Sequence, residues 1–231
     1  MIIPSYMKAN SIVECLEGIF KSKQDFNYED FTIVVVIDGD VDNTSNKLNS
    51  VYLDDLRVLV LPNNSGKGAA IKAGLDISES EYVAFFDADL DIDPSALFHG
   101  LKELKLNKKI SGVAGCKSHS DSQVNYPVVR QFYSNIFRLL VGLMFKQEIL
   151  DSQTGIKVFR TEKIRDKYPQ CRENGFLFEL ELMIMLLRCG EKVSYIPVKI
   201  DHTYDSTINI LSAVKILKEL MTMKKRQYKT L

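Results

Sequence analysis

The 231-residue sequence contains no apolar run of about 18 residues, the length that a helix needs to cross a bilayer. No transmembrane helix is therefore predicted, and no signal peptide is visible because Met1 leads straight into Ile2 and Ile3. An excess of charge is also lacking, since 30 basic residues balance 30 acidic ones, so no general attraction to nucleic acid is expected. Repeats and Pro/Gly-rich linkers are absent, which predicts a single domain over 1–231.

Cysteine and histidine are too few and too scattered to form a recognisable metal or disulfide pattern. The four cysteines include no Cys-x-x-Cys pair, and the three histidines complete no zinc motif. We therefore expect reduced thiols in a cytoplasmic protein.

Strand-like and helix-like segments alternate through the first half of the chain. Three apolar runs suit strands that are buried on both faces, at 33–37, 57–61 and 82–86. Helical patterns separate them, at about 9–22, 67–78 and 94–107. Further helices are predicted at about 128–146, 179–189 and from 208 onward, and a strand at 193–198. The alternation predicts an α/β fold with a mainly parallel sheet flanked by helices.

Acidic residues follow two of these predicted strands. Asp38 ends the first, and the third ends in four aspartates at alternate positions, Asp87, Asp89, Asp91 and Asp93. In open α/β sheets, ligands bind at the carboxyl ends of the strands. Neighbouring carboxylates repel one another unless a cation neutralises them, and oxygen ligands suit Mg²⁺ or Mn²⁺. The alternative is a solvated acidic turn before the next helix.

A glycine-lysine loop, Asn63–Gly68, lies between the second predicted strand and the following helix. Its glycines let the backbone approach an anion, the helix N-terminus directs amides toward it, and Lys67 adds a full charge. It is neither a Walker loop nor a dinucleotide-binding fingerprint. A plain turn with a helix cap explains it equally well when it is judged alone.

Two later segments are weaker candidates for a pocket. The polar segment 151–160 begins with Asp151 and contains a glycine. Glu179 and Glu181 open an apolar helix, where they are interpreted either as helix N-terminal charges or as pocket acids.

Taken together, these motifs resemble the inverting, GT-A-fold glycosyltransferases of family 2, and in particular the polyprenyl-phosphate mannosyl- and glucosyltransferases. The matching segments are Ile3–Tyr6, Val36–Thr44, Asn64–Ala70 and Asp87–Leu90. The resemblance implies a Rossmann-like nucleotide-sugar half over about 1–115 and an acceptor half over about 116–207. A basic amphipathic helix over about 208–231 completes the chain.

The resemblance also implies roles for individual residues. The donor site takes Pro4, Tyr6, Asp38, Lys67 and Asp87, with Asp38 on the nucleobase. Mg²⁺ or Mn²⁺ takes Asp87, Asp89 and Asp91. Candidate catalytic residues are Asp89, Asp151, Glu179 and Glu181. The acceptor phosphate is expected at Lys117, Arg130 and Ser134.

Three positions depart from the family pattern. Met7–Lys8–Ala9 stands where Asn-Glu-Glu is common, Ile37 replaces the first aspartate of Asp-Asp-Gly, and Lys117 replaces an arginine. The lysine keeps the charge but loses the bidentate fork of a guanidinium.

The implied reaction is a single displacement that inverts the anomeric carbon and releases a nucleoside diphosphate. A phosphate acceptor, with a second pKa of about 6, is largely ionised at neutral pH and needs basic residues rather than a base. A saccharide hydroxyl, the alternative acceptor in surface-polysaccharide assembly, needs a carboxylate base. A sugar nucleotidyltransferase and a non-catalytic nucleotide-sugar binder are further alternatives. The oligomeric state is left open.

Two apolar helical stretches predict peripheral contact with the inner face of the cytoplasmic membrane. One is 136–145, and the other is a face of the last helix formed by Ile210, Leu211, Val214, Leu217, Leu220 and Met221. Six basic residues between 213 and 231 surround that face. The alternative is that both helices pack on the protein's own core or on a second subunit.

Overall fold

The computed structural model describes residues 1–28, 31–51, 55–125, 128–201 and 210–228. Side chains are not described at 128–133, 210–215 and 227–228. Among the described residues, no helix is both long enough and apolar enough to span a bilayer. All four cysteines are unpaired, as the sequence predicts.

The helices and strands follow the predicted order. The strands are β1 Ile2–Ser5, β2 Ile33–Asp38, β3 Leu56–Leu61, β4 Tyr82–Phe86, β5 Gly112–Cys116, β6 Gln123–Asn125, β7 Ile156–Arg160, β8 Val193–Pro197 and β9 Lys199–Asp201. The helices are α1 Ile12–Asp25, α2 Thr44–Leu48, α3 Lys67–Asp76, α4 Ser95–Leu106, α5 Val128–Phe145, α6 Thr161–Ile164, α7 Phe178–Arg188 and α8 Ile210–Tyr228, with a 3₁₀ turn at Tyr168–Gln170.

Seven strands form one central sheet in the order β3-β2-β1-β4-β7-β5-β8. All neighbouring pairs are parallel except those that β7 makes with β4 and β5, which are antiparallel. The predicted α/β class and mainly parallel sheet are therefore confirmed. Because β7 runs in the opposite direction, the segment before it lies at the edge where β4 and β5 end. The sheet runs through both predicted halves of the chain, and their division near residue 115 stays a prediction.

Helices cover both faces of the sheet, so each central strand contributes to two apolar clusters. In β2, Val34 and Val36 point into the cluster beneath α3, α7 and α5, while Val35 and Ile37 point into the cluster beneath α1 and α4. This double burial explains the unbroken apolar run that the sequence shows.

The prediction that the strand at 57–61 is buried on both faces is wrong. As β3 it is the outer strand of the sheet. Leu59 and Leu61 pack against the core, whereas Val58 and Val60 on the opposite face are 42% and 46% exposed. At the edge of a sheet one face can lack a covering helix, and a β-branched run alone does not reveal this.

The last helix, α8, packs partly on the core. Leu220 and Met223 are fully buried, and Arg226 forms an ion pair of 3.1 Å with Glu173. Leu217 and Met221, which belong to the predicted apolar face, remain exposed. The predicted face is thus divided between the core and the surface.

Candidate active site

The polar residues selected from the sequence converge at the carboxyl edge of the sheet. The segments that follow β1, β2, β4 and β5 all begin at this edge, because these four strands run in the same direction. The segment 151–155 reaches the same edge from the opposite direction, ahead of β7. One edge therefore brings together Asp38, Lys67 and Asp87 of the predicted donor site and Lys117 of the predicted acceptor site.

Lys67, the first residue of α3, lies between two carboxylates. Its Nζ is 2.6 Å from Asp87 Oδ1 and 2.7 Å from Glu179 Oε1. Burial alone lowers the pKa of this ammonium, but the charges of Asp87 and Glu179 outweigh burial and raise the pKa above its ordinary value. Lys67 therefore remains protonated and places a fixed positive charge beside Asp87.

Glu179 at the start of α7 is buried between two lysines. One carboxylate oxygen faces Lys67, and the other forms an ion pair with Lys157, whose side chain is 0% exposed. Burial tends to raise the pKa of Glu179, but Lys157 and Lys67 lower it below its ordinary value. An ionised carboxylate with both oxygens occupied is a poor proton acceptor.

The predicted acceptor residue Lys117 belongs to a second buried pair. Lys117, directly after β5, has its Nζ 2.8 Å from Asp151 Oδ2 and 2.7 Å from Thr154 Oγ1. The Thr154 hydroxyl in turn donates to Asp151 at 2.6 Å. Burial opposes ionisation of Asp151, but Lys117 and these hydrogen bonds lower its pKa overall.

Thr154 joins the two pairs into one network. Its carbonyl oxygen accepts a hydrogen bond of 2.8 Å from Lys157 Nζ, and its hydroxyl contacts Lys117 and Asp151. A continuous chain of polar contacts therefore runs from Asp87, a predicted donor residue, to Lys117, a predicted acceptor residue.

Asp38 shapes the glycine-lysine loop. It is 3% exposed, and its two oxygens accept hydrogen bonds of 2.7 Å from the backbone amides of Ser65 and Gly66. Gly66 has a φ of 103°, and an added Cβ there would lie 2.4 Å from Asn174 O. The loop therefore requires glycine at this position. The contact of Asp38 with a nucleobase stays a prediction.

Glu181 organises the segment behind that loop. Its Oε2 accepts hydrogen bonds of 2.8 Å from the backbone amides of Arg172 and Glu173. The adjacent Asn174 carbonyl accepts a hydrogen bond of 3.0 Å from Ala69 N in α3. These contacts place Glu181 behind the glycine-lysine loop, and its catalytic role stays a prediction.

The four aspartates after β4 have separate partners. Asp87 pairs with Lys67, and Asp89 forms an ion pair with Lys8. Asp93 accepts a hydrogen bond of 2.9 Å from Ser95 N at the start of α4. Asp91 accepts one of 3.1 Å through its carbonyl oxygen from Asp201 N in β9.

Asp87 and Asp89 offer oxygen ligands to a divalent cation. No group of three or more potential metal-ligating side chains occurs among the described residues. However, Mg²⁺ typically takes one or two protein carboxylates and completes its shell with phosphate oxygens and water. The side chains of Asp87 and Asp89 are 27% and 48% exposed, so both can reach such an ion. These two residues fit it, and Asp91 stays a predicted third ligand.

The remaining predicted site residues are placed less closely. Tyr6 is 41% exposed on the loop after β1, and Pro4 is half-buried in that strand. Ser134 is half-buried on α5. Arg130 lies on the same helix, but its side chain is outside the described residues. Arg138, one turn beyond Ser134, donates a hydrogen bond of 2.8 Å to Ser118 next to Lys117.

Sequence reasoning assigned no role to Lys157, Thr154 or Arg138. The sequence does contain a signal for a paired Lys157, because a lysine within the apolar strand 156–160 is buried only when it has a partner. It contains no signal for which residue that partner is, since Glu179 lies 22 positions away. Lys8 was noted only as a departure from the family pattern.

The chain matches the sequence profile of a known protein family. The sequence profile of the family described as Glycosyl transferase family 2 matches residues 1–166.

Curated relatives cover most of the chain. A dolichyl-phosphate beta-glucosyltransferase of Trichomonas vaginalis is 28% identical over 95% of this chain and 68% of its own length. The dolichyl-phosphate beta-glucosyltransferase of Saccharomyces cerevisiae is 24% identical over 97% of this chain and 73% of its own.

Solved structures share the fold. Mannosyl-3-phosphoglycerate synthase from Rubrobacter xylanophilus superimposes with a TM-score of 0.73 at 15% identity, over 99% of this chain and 73% of that one. Glucosyl-3-phosphoglycerate synthase from Mycobacterium tuberculosis, crystallised with Mn²⁺, UDP and its product, gives 0.66 at 17% identity, over 97% and 75%. Both likenesses confirm the predicted GT-A fold.

Proposed function

The chain belongs to glycosyl transferase family 2, and from that premise we propose that it transfers a glucosyl group from a nucleoside-diphosphate sugar to the phosphate of a polyprenyl lipid. The sugar and the acceptor follow the curated relatives, which are dolichyl-phosphate beta-glucosyltransferases. Membership of this family favours glycosyl transfer over the nucleotidyltransferase and the non-catalytic binder.

The choice of a phosphate acceptor rests on one observation, the ionisation of the carboxylic acids at the proposed acceptor side. Asp151 is paired with Lys117, and its pKa is lowered. Glu179 is paired with Lys67 and Lys157, and its pKa is lowered as well. A saccharide hydroxyl requires a base whose pKa lies near the working pH. A phosphate acceptor needs cations to bind it, and Lys117 is such a cation.

On the donor side, we place the leaving diphosphate beside Lys67 at the start of α3, next to Asp87. A donor diphosphate bound there accepts a hydrogen bond from the Lys67 ammonium, which stabilises the negative charge as the anomeric bond breaks. A divalent ion held by Asp87 and Asp89 supplies further neutralisation of that charge when it is bound. Mg²⁺ and Mn²⁺ both suit these carboxylates.

The test compares donors and acceptors in one transfer assay. UDP-glucose and GDP-mannose are each offered with a short-chain polyprenyl phosphate and with an alkyl glucoside of similar apolar length. Glucose transfer from UDP-glucose to the lipid phosphate is expected. Preferred transfer to the glucoside contradicts the proposed acceptor, and preferred use of GDP-mannose contradicts the proposed sugar.

Lys117→Met tests the phosphate site. Loss of a charged hydrogen bond to the acceptor is expected to raise the acceptor KM by about tenfold or more, with little change in the donor KM. Lys163→Met is the matched control. Lys163 forms an ion pair of 3.1 Å with Glu191, and this pair lies away from the carboxyl edge of the sheet. Equal increases in both KM values for Lys117→Met argue against the placement of the acceptor phosphate.

We further propose that the protein binds the inner face of the cytoplasmic membrane. Leu139 and Leu143 on α5 are 63% and 67% exposed, and Leu217 and Met221 on α8 are exposed as well. Each lysine of α8 that lies near the membrane surface adds about 1 kcal/mol of attraction to anionic headgroups. Such contact brings the site to the phosphate of a membrane-bound acceptor.

Sedimentation with anionic and neutral vesicles measures this binding. Binding to anionic vesicles is expected to fall as salt rises and to weaken in a Leu139→Ser/Leu143→Ser variant. Val58→Ser/Val60→Ser on the exposed face of β3 is the control for removing apolar surface elsewhere. Equal loss in both variants, or no binding at low salt, contradicts the assignment of these helices.

A further inference from the structure

Lys8 lies on a loop that is fastened to the acidic segment after β4. The Ser11 hydroxyl donates a hydrogen bond of 3.1 Å to Ala88 O, and Ala9 N donates one of 2.9 Å to Asp42 Oδ2. These contacts place the N-terminus of α1 beside Asp89. The Lys8 ammonium pairs with Asp89, and the two side chains are 32% and 48% exposed.

Each aspartate of the Asp87–Asp89 pair is therefore neutralised by a lysine of this chain. A divalent cation that binds both carboxylates competes with Lys8 for Asp89 and with Lys67 for Asp87. The consequences differ. Lys67 also pairs with Glu179, so it keeps a partner, whereas Asp89 is the only salt-bridge partner of Lys8 within the described part of the chain.

We propose that Lys8 is a resident counter-ion that competes with the divalent cation for Asp89 and, once displaced, binds the diphosphate of the donor. The proposal rests on the proposed function, because it assumes a nucleoside-diphosphate sugar at this edge. It gives a role to the lysine that replaces a residue of the family pattern. The displaced Lys8 ammonium, just before α1, remains close to the two carboxylates. An arriving diphosphate then provides the negative charge with which this ammonium pairs.

The competition has a consequence for metal affinity that is independent of catalysis. Half-exposed ion pairs contribute at most about 1 kcal/mol, which corresponds to about fivefold in a binding constant. Lys8→Met is therefore expected to bind Mn²⁺ about fivefold more tightly than the unaltered protein. Lys8→Arg retains the positive charge and is expected to remain within twofold of the unaltered protein.

Metal binding is measured by electron paramagnetic resonance of free Mn²⁺ during titration of the full chain without nucleotide. Lys23→Met is the control, since Lys23 of α1 forms a lysine–aspartate pair with Asp55 at 2.7 Å, in which the two side chains are 15% and 42% exposed. Unchanged Mn²⁺ affinity in Lys8→Met, or an equal gain in Lys23→Met, overturns the competition.

A second titration tests the displaced state. At saturating Mn²⁺, calorimetry measures the affinity of the variants for UDP and for GDP. Lys8→Met is expected to bind the preferred diphosphate about fivefold to tenfold more weakly, because a charged hydrogen bond is lost. Undiminished affinity overturns the contact with the diphosphate. If neither the variants nor the unaltered protein transfers sugar to a lipid phosphate, the proposed function fails, while the two binding measurements still decide the role of Lys8.

Discussion

Replacing Gly155 with alanine is expected to inactivate the enzyme by displacing Asp87. Gly155 immediately precedes β7, and its carbonyl oxygen accepts a hydrogen bond of 2.9 Å from Asp87 N. A Cβ added at Gly155 would lie 2.3 Å from Asp87 Oδ2 and 2.6 Å from its Cγ. Because both distances are far below van der Waals contact, the carboxylate must move by roughly 1 Å.

The size of the effect follows from what Asp87 contacts. Its Oδ1 is 2.6 Å from Lys67, so a displaced carboxylate alters both the proposed metal ligand and the ammonium beside it. A misplacement of about 1 Å in an active site costs about 100-fold in rate. We therefore expect kcat/KM to fall by about 100-fold, or about 2.7 kcal/mol of transition-state stabilisation. Overpacking is expected to cost about 1–3 kcal/mol in the free energy of unfolding.

The assay measures glucose transfer from UDP-glucose, with Mn²⁺ affinity and urea unfolding as companion measurements. Gly142→Ala on α5 is the control, because a Cβ there meets no atom within 4 Å and alanine is the better helix former by about 1 kcal/mol. Activity of Gly155→Ala within threefold of the unaltered protein refutes the reasoning. An inactive variant that still binds Mn²⁺ normally refutes the displacement of Asp87.

Lys157→Met is expected to lower the free energy of unfolding by about 3–5 kcal/mol, because it leaves the buried carboxylate of Glu179 with one partner fewer. Urea unfolding measures this change, and a loss below about 1 kcal/mol contradicts the buried pair. Asp151→Asn removes stability that is present at neutral pH and is lost as the pH falls through a folded-state pKa below the ordinary 3.8. The difference in unfolding free energy between the unaltered protein and this variant should therefore hold above pH 3.8 and shrink as the pH falls below it, and a difference that does not change with pH contradicts the ion pair. Gly66→Ala, at a φ of 103° and 2.4 Å from Asn174 O, is expected to weaken UDP binding at least tenfold in calorimetry, and unchanged affinity contradicts the role of the loop.

The order of the elements was predictable because periodicity and turn residues are local signals. The helices at 67–76 and 128–145 and the strand at 82–86 lie within about two residues of their predicted bounds. The direction of β7 was not predictable, since no local signal tells whether a strand pairs parallel or antiparallel with partners 40 or more residues away. That direction brings Asp151 and Thr154 to the same edge as Asp87.

The partners of the charged side chains were also beyond local reasoning. The sequence indicates that Asp38 follows a strand, but not that its oxygens accept hydrogen bonds from the amides at 65 and 66. It indicates an acidic cluster at 87–93, but not that Lys8, 81 positions away, neutralises Asp89. Sequence spacing identifies which residues reach the site, whereas the fold decides which charge each of them meets.

The balance of charge along the buried network explains why a cation from solution matters to this site. Among the described side chains, the network contains three ammonium groups, on Lys67, Lys157 and Lys117, and three carboxylates, on Asp87, Glu179 and Asp151. Three positive and three negative charges cancel, and the Lys8–Asp89 pair adds one of each. An arriving diphosphate and an acceptor phosphate both bring negative charge, and like charges at close range are costly unless they are neutralised. In the proposed exchange, a divalent ion on Asp87 and Asp89 adds two positive charges and releases Lys8 from Asp89, while Lys67 keeps Glu179 as a partner. We therefore propose that the metal motif and the lysines beside it act together, because a metal ion on Asp87 and Asp89 makes lysine charge available to the arriving phosphates.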